Sequence, residues 1–355
     1  MSSEETAALR LRVPPETRRL LAQLHERALR AVMLSLPSGE PRHYLYDLLP
    51  LYPLRSGKGL RPALCMAACA AFGGSYDDAL PFAAALELLH NAFLVHDDIQ
   101  DGSPCRRGLP ALHVQHGTPL ALNVGDALAA RANAAAVRAA QPLRPAVASA
   151  ILEGWERMTR ETIEGQALDL GWQRDNVVDM SVPDYLAMCG KKTAWYTVIQ
   201  PLAIGAIIGS GQSARERETF RFGWFLGLLF QIANDLNGVR AAAGEGDIEE
   251  GKRTILLIHL LGVLTGADRA EVVRIMGLPR YKRGPGEVAW VLGQMEQAGS
   301  GDYARSCLFD LAAAAMREAD DAFGSLPASA ARDMLLSITG YVLEQSRLLP
   351  RATPP

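Results

Sequence analysis

Apolar residues recur with the helical period along nearly the whole chain, and no run alternates with period two long enough to make a convincing strand. Residues 16–36 carry Leu20, Leu21, Leu24, Leu29 and Val32 in an amphipathic pattern that stops at Pro37, Ser38, Gly39 and Pro41. Residues 61–72 are Ala-rich and end at Gly73-Gly74, a good helix stop. Residues 77–99 form another long helical pattern, tolerating Pro81 in its first turns. Helical patterns recur at 119–140, 145–171, 183–210, 214–242, 252–264, 287–298, 302–324 and 328–348. Helices that long, joined by connections that short, bury their apolar stripes against their neighbours in sequence. The expectation is an all-α, single-domain bundle over residues 1–349, with 350–355 a disordered tail. No short repeat or low-complexity linker divides the chain. The Gly- and acid-rich stretch 241–251 and the basic, Gly/Pro-rich stretch 278–286 read as loops within the domain.

Composition narrows the function classes. The chain has 355 residues, 49% apolar and 21% charged, enough for a large core. A net charge of −3 gives no sign of a nucleic-acid surface. Five cysteines, an odd number in a long chain, exclude a disulfide scaffold. Cys65 and Cys69 are helix neighbours, but no second pair completes a zinc site. Residues 1–11 carry charges and no apolar run, so a signal peptide is not expected there. No stretch reaches the ~20 uninterrupted apolar residues that span a bilayer, and the expected location is the cytoplasm.

The chemistry-bearing residues begin at Asp97, Asp98 and Asp101, which follow an apolar helical run. Asp97 and Asp101 stand at i and i+4 and share a face. Two carboxylates pointing together at the end of a buried helix repel unless a cation sits between them. Mg²⁺ suits the position, because it binds through one or two carboxylates and keeps waters or substrate phosphate. Alone, three acids at a helix end are equally a solvated terminus. The cationic pair Arg106-Arg107, close behind, turns the cluster toward a diphosphate clamp: carboxylates for metal, arginines for phosphate oxygens.

This Asp-Asp-x-x-Asp with Arg-Arg-Gly resembles the first aspartate-rich motif of the head-to-tail isoprenyl diphosphate synthases. The resemblance extends through Gly57-Lys58-Gly59-Leu60-Arg61-Pro62, Glu87-Leu88-Leu89-His90, Gly125-Asp126, Glu164-Gly165-Gln166 with Asp169, Lys192-Thr193 and Phe230-Gln231-Ile232. It includes Gly246-Asp247-Ile248 with Gly251-Lys252-Arg253-Thr254. These follow the family's order and rough spacing from about Lys58 to Leu257. The resemblance implies a bundle around a deep apolar cavity, usually paired as a homodimer. It implies Mg²⁺ on Asp97 and Asp101, with Asp98 in the same catalytic motif. Arg106, Lys192 and Lys252 would neutralise an allylic diphosphate as it leaves. A second, metal-free diphosphate site for isopentenyl diphosphate would comprise Lys58, Arg61, His90 and Arg107, with Thr193 and Gln231 also substrate-binding. His90, seven residues before Asp97 on the same face, is otherwise a buried histidine of the ordinary kind. Phe93, one helical turn before Asp97, would floor the cavity and limit the product to C15–C20, or else simply pack in the core.

The second motif departs from the family pattern. Where another Asp-Asp-x-x-Asp belongs, the chain reads Asn234-Asp235-Leu236-Asn237-Gly238. Asn234 and Asp235 remain as candidate metal ligands, the first without charge. Drift in a working synthase is one explanation. Transfer of the prenyl group to a non-isoprenoid acceptor, such as an aromatic ring, is another. A class I terpene cyclase or an inactive partner subunit is a third, weakened because Ala242 stands where the cyclase motif needs glutamate. The intact Lys58, Arg61, His90 and Arg107 favour elongation with isopentenyl diphosphate.

Overall fold

A computed structural model describes residues 13–55, 57–239 and 246–346. The expected tail 350–355, residues 1–11 and Ala242 lie outside the described residues. The helices are α1 (Pro15–Ser35), α2 (Leu60–Ala71), α3 (Tyr76–Asp101), α4 (Leu112–His116), α5 (Thr118–Ala140), α6 (Pro145–Arg174), α7 (Val182–Cys189), α8 (Gln200–Ser210) and α9 (Glu216–Gly238). They continue as α10 (Asp247–Glu250), α11 (Ile255–Val263), α12 (Gly266–Met276), α13 (Pro285–Gln297), α14 (Ser300–Phe323) and α15 (Ala330–Gln345). Among the described residues the bundle is all-α, with one exception two residues long: Cys105–Arg106 pairs antiparallel with Leu109–Pro110.

Helix α3 runs through the middle of the bundle, against α1, α2, α5 and α8. Ser75 caps it with a reciprocal Asp78 contact, and Gly102 closes it in the left-handed conformation. By length and mean hydropathy α3 is long and apolar enough to cross a membrane, although its apolar run is interrupted at Glu87. Its apolar window is 72% buried inside the protein, which is the hydropathy of a core helix. The apolar face at 79–95 packs into the chain's own core.

Several segments depart from the sequence expectation, among them the short helices α4 and α10, the latter within the stretch 241–251 expected as a loop. The stretch expected as one helix over 183–210 widens into a π-helical segment, Gly190–Ile199, between α7 and α8. Pro201 brings no N–H to the Thr197 carbonyl one turn back, where the wider register ends. Helix α12 went unassigned because its buried face is only Val272, Ile275 and Met276 amid charged residues.

Candidate active site

Helix α3 delivers three aspartates at its C-terminal end to two different environments. Asp98 turns inward and is fully buried. Its Oδ2 accepts a hydrogen bond from the Tyr52 hydroxyl, and its Oδ1 accepts from both the Nε, at 2.9 Å, and the Nη2 of Arg106. Tyr52 in turn accepts from the Leu112 amide at 3.2 Å. Asp98, expected among the catalytic carboxylates, therefore holds Arg106 in position instead of facing the site. Burial and Asp98 together push the Tyr52 hydroxyl far above its ordinary pKa.

Asp97 and Asp101 point the other way. Gln166 donates to Asp97 at 3.1 Å, Arg106 lies 3.6 Å away and Lys192 3.9 Å. Burial opposes the Asp97 charge, but Lys192, Lys252 and Arg106 outweigh it and keep the carboxyl below the usual range. Asp101 is 7% exposed, and neither carboxylate oxygen has a hydrogen-bond partner among the described residues. Burial first, and then Asp97, pushes its pKa up to about 7. The Lys252 ammonium lies 3.1 Å away. A carboxylate pair of which the buried member, Asp101, has no hydrogen-bond donor among the described residues, with an ammonium held beside it, is a donor set that suits a divalent cation.

The two lysines join this pair to the other side of the site. Lys192, on the π-helical segment, reaches Asp169 of α6 at 2.5 Å. That reach depends on Gly165: a Cβ there would lie 2.6 Å from the Lys192 Cα, so only glycine lets the segment come this close to α6. Lys252, just after α10, pairs with Glu250 and lies 4.0 Å from Asp247. Glu250 also accepts from Ser103 at 2.8 Å, and Arg280 donates to the Asp101 carbonyl at 2.8 Å. The basic loop after α12 thus closes against the end of α3.

Asp235, expected as a metal ligand, is 3% exposed and already engaged. It accepts from Tyr185 at 2.6 Å, from Gln231 at 2.8 Å and from the Ile255 amide at 3.2 Å. Burial lifts its pKa to about 6 against the pull of those three donors. Thr193 completes the chain by donating to Gln231 at 2.7 Å, so Thr193 and Gln231 support Asp235. Asn234, half-buried, makes no side-chain hydrogen bond among the described residues.

The second cationic zone carries no aspartate. Buried Arg61 donates to Thr197 at 2.8 Å and stacks 4.2 Å over the Tyr196 ring. His90 packs against the same ring at 5.9 Å, with its Nδ1 unpartnered among the described residues. Burial, then Arg61, Arg107 and Arg106, drives His90 well below its usual pKa, so it is neutral. Arg107 sits at φ 56°, an uncommon conformation for a non-glycine residue, in the turn between the two short strands. Its guanidinium lies over Gly57, beside Lys58, whose ammonium is 5.8 Å above the Phe230 ring. Phe93 meets Tyr196 edge-on at 5.5 Å, between the two zones along α3.

Tyr52, Tyr185 and Tyr196 had no sequence signal, because each acts through a contact with a distant residue. Asp169 and Gln166 stood in motifs, without roles until their partners were visible.

The polyprenyl synthetase model matches residues 43–295. A short chain isoprenyl diphosphate synthase of Methanothermobacter thermautotrophicus is 34% identical over 86% of this chain and 94% of its own. The geranylgeranyl pyrophosphate synthetase of Pyrococcus horikoshii superposes with a TM-score of 0.79 at 29% identity, covering 92% of this chain and 98% of that one. A polyprenyl synthase of Caulobacter crescentus, complexed with calcium and isoprenyl diphosphate, gives 0.80 at 26% identity, covering 92% and 96%. With the isoprenoid synthase fold and the ordered motifs along α3, α6 and α9, these matches make the chain a member of the polyprenyl synthetase family.

Proposed function

We propose that the chain condenses an allylic diphosphate with isopentenyl diphosphate, giving a prenyl diphosphate of C15–C20, with Mg²⁺ on Asp97 and Asp101. The observation that carries this is the separation of two cationic zones that other segments bring against α3. One combines lysines with the pair Asp97 and Asp101, the second of which has no hydrogen-bond donor among the described residues. The other gathers Arg61, His90 and Arg107 without an aspartate. A chain with a single diphosphate to bind, such as a cyclase, has no use for the second.

Mg²⁺ bound there supplies Lewis-acid stabilisation of the leaving diphosphate. Arg106, fixed by Asp98, presents its remaining N–H groups to the same oxygens. Lys192 and Lys252 exchange carboxylate partners for diphosphate oxygens and remain charged throughout, because their carboxylate neighbours hold both above the ordinary lysine pKa. Neutral His90 binds the second diphosphate by hydrogen bonding, while Arg61, Arg107 and Lys58 bring the charge. The double bond of isopentenyl diphosphate then attacks the allylic carbon, and the proton lost goes to the departing diphosphate. Phe93 lies about 6 Å below Asp97 along α3, at 1.5 Å per residue, and so stands where a growing chain would meet a floor.

The names of the relatives support elongation, as does the calcium and isoprenyl diphosphate complex of the Caulobacter protein. Exposed Leu122 and Val137 on α5 support a homodimer through that helix; a monomeric mass by light scattering would refute it. The experiment for the activity is a product assay with Mg²⁺, isopentenyl diphosphate and each of the C5, C10, C15 and C20 allylic diphosphates, read by mass spectrometry. A longer linear diphosphate is expected. Donor consumed without elongation would instead point to a different acceptor.

A further inference from the structure

The basic stretch 278–286, read from the sequence as a plain loop, touches the segments that carry Asp101 and Lys252. Helix α12 anchors it: Val272, Ile275 and Met276 are buried, and Asn176 donates to the Val273 carbonyl at 3.0 Å. The loop then makes one 3₁₀ turn, Arg280–Lys282, closed by the Arg283 amide on the Arg280 carbonyl at 3.1 Å. Side chains three apart eclipse in such a turn, so Arg280 and Arg283 leave it on one side. Tyr281 and Lys282 between them face solvent, with Tyr281 84% exposed.

Arg283 reaches α10. That helix is a single turn of four residues, too short to hold itself together, and its carbonyls need partners from outside. Arg283 Nη1 donates to the Ile248 carbonyl at 2.8 Å and the Glu249 carbonyl at 2.7 Å, while its Nε donates to Leu278 at 2.8 Å in its own loop. The guanidinium fills the space over Gly251, which closes α10 at φ 83°: a Cβ there would lie 2.6 Å from both terminal nitrogens. Buried Arg253 takes the Gly251 carbonyl and donates to Asn176 Oδ1 at 2.7 Å. Lys252 thus stands directly after a turn whose carbonyls at 248, 249 and 251 are held by arginines. Arg280 reaches α3 instead. It donates to the Asp101 carbonyl at 2.8 Å, at the negative end of a 26-residue helix, and lies 3.5 Å from Glu250 Oε1. The other oxygen of Glu250 pairs with Lys252.

We propose that the turn 280–283 is a clamp and that its two arginines are positioning residues for the allylic diphosphate. Arg283 fixes the turn that carries Lys252, and Arg280 ties that turn to the end of α3 that carries Asp101. Lys252 and Glu250 share one turn and stay paired without the clamp; what the clamp sets is their place against Asp101, 3.1 Å from the Lys252 ammonium. This deepens the function above and rests on it for what Lys252 and Asp101 do. The clamp itself belongs to the free protein and is open to test there. Neither arginine approaches Arg61, His90 or Arg107 within hydrogen-bond distance among the described residues, so the effect is confined to one of the two substrates.

The test joins hydrogen exchange with steady-state kinetics on the full chain. In Arg283→Ala the amides of Gly251 and Lys252, which donate to the Asp247 carbonyl, should exchange about 10-fold faster, while peptides of the core helices α2 and α8 exchange as in the wild type. In Arg280→Ala the same is expected of the Gly102 and Ser103 amides at the end of α3. Both variants should raise KM for the allylic diphosphate about 10-fold and leave KM for isopentenyl diphosphate within about two-fold. A merely structural role would lower the active fraction and move neither KM. Arg274→Ala removes an exposed arginine paired with Glu271 on α12 and is the control for lost charge, with both KM values unchanged. Should Arg283→Ala fold poorly, the half-buried Arg280 carries the comparison. Wild-type exchange at the named amides, or KM values that stay put or rise together, overturns the proposal. A wild type that does not elongate defeats the function proposed above, and the exchange rates alone then decide the clamp.

Discussion

Asp101 should make the metal-free protein less stable as pH rises, and Asp101→Asn should remove that dependence. In the folded chain its carboxyl keeps a proton up to about pH 7, whereas in the unfolded chain it titrates at its ordinary value of 3.8. Between those values the folded state binds more protons, so stability falls with increasing pH and levels off above 7. From pH 5 to pH 8 the folded chain gives up its advantage over two pH units, about 3 kcal/mol at about 1.4 kcal/mol per unit. No solvent discount applies, since the side chain is almost wholly buried. An asparagine at 101 does not titrate, and Lys252 keeps Glu250 as its partner. Comparing the two proteins removes the contributions of every other titrating group they share. Urea denaturation in the presence of a chelator, at pH 5 and pH 8, gives the stability gap. Asp101→Asn should gain about 3 kcal/mol on the wild type between those pH values. A gap that stays constant, or moves the other way, would mean that Asp101 is not the strained carboxylate described here.

Gly165→Ala should cost about 1–3 kcal/mol and lower kcat, because the new methyl pushes the Lys192 backbone from α6; Gly262→Ala, with nothing within 4 Å of its Cβ, should be neutral or stabilising by up to ~1 kcal/mol. Equal denaturation midpoints for the two variants would contradict this. Tyr52→Phe removes a buried hydrogen bond to Asp98 and should lose about 2 kcal/mol. It should also raise KM for the allylic substrate through a loosened Arg106, and an unchanged KM would separate Arg106 from the donor. Phe93→Ala should lengthen the main product by at least one C5 unit by mass spectrometry, whereas an unaltered product would leave Phe93 a packing residue.

The helices were legible because long amphipathic stripes with Gly and Pro stops are local properties. Helix α12 was not, since three apolar residues make too weak a stripe. The π-helical widening at Gly190–Ile199 was invisible for a different reason: its side-chain pattern is helical either way, and only the hydrogen-bond register differs. The hairpin carrying Arg106 and Arg107 is too short for any periodicity, although it determines where both guanidinium groups point.

Motif residues were legible as types, less so as roles. Spacing alone separates Asp97 and Asp101 from Asp98, since i and i+4 share a face, but it does not reveal that Asp98 is bound by Tyr52 and Arg106 from distant segments. The same limit explains Asp235. Its position in the motif suggests a ligand, while Tyr185, Gln231 and the Ile255 amide have already claimed its oxygens. In both cases a tertiary hydrogen bond decides between ligand and support, and such a bond leaves no mark on the local sequence. A carboxylate free of donors is therefore the better guide to a metal position than an aspartate in a motif. By that criterion Asp101, beside Lys252, defines where positive charge belongs in this site. On the proposed function, the stability that burial of Asp101 removes would be returned when a cation and a diphosphate arrive together, and binding of metal and substrate should then be mutually dependent.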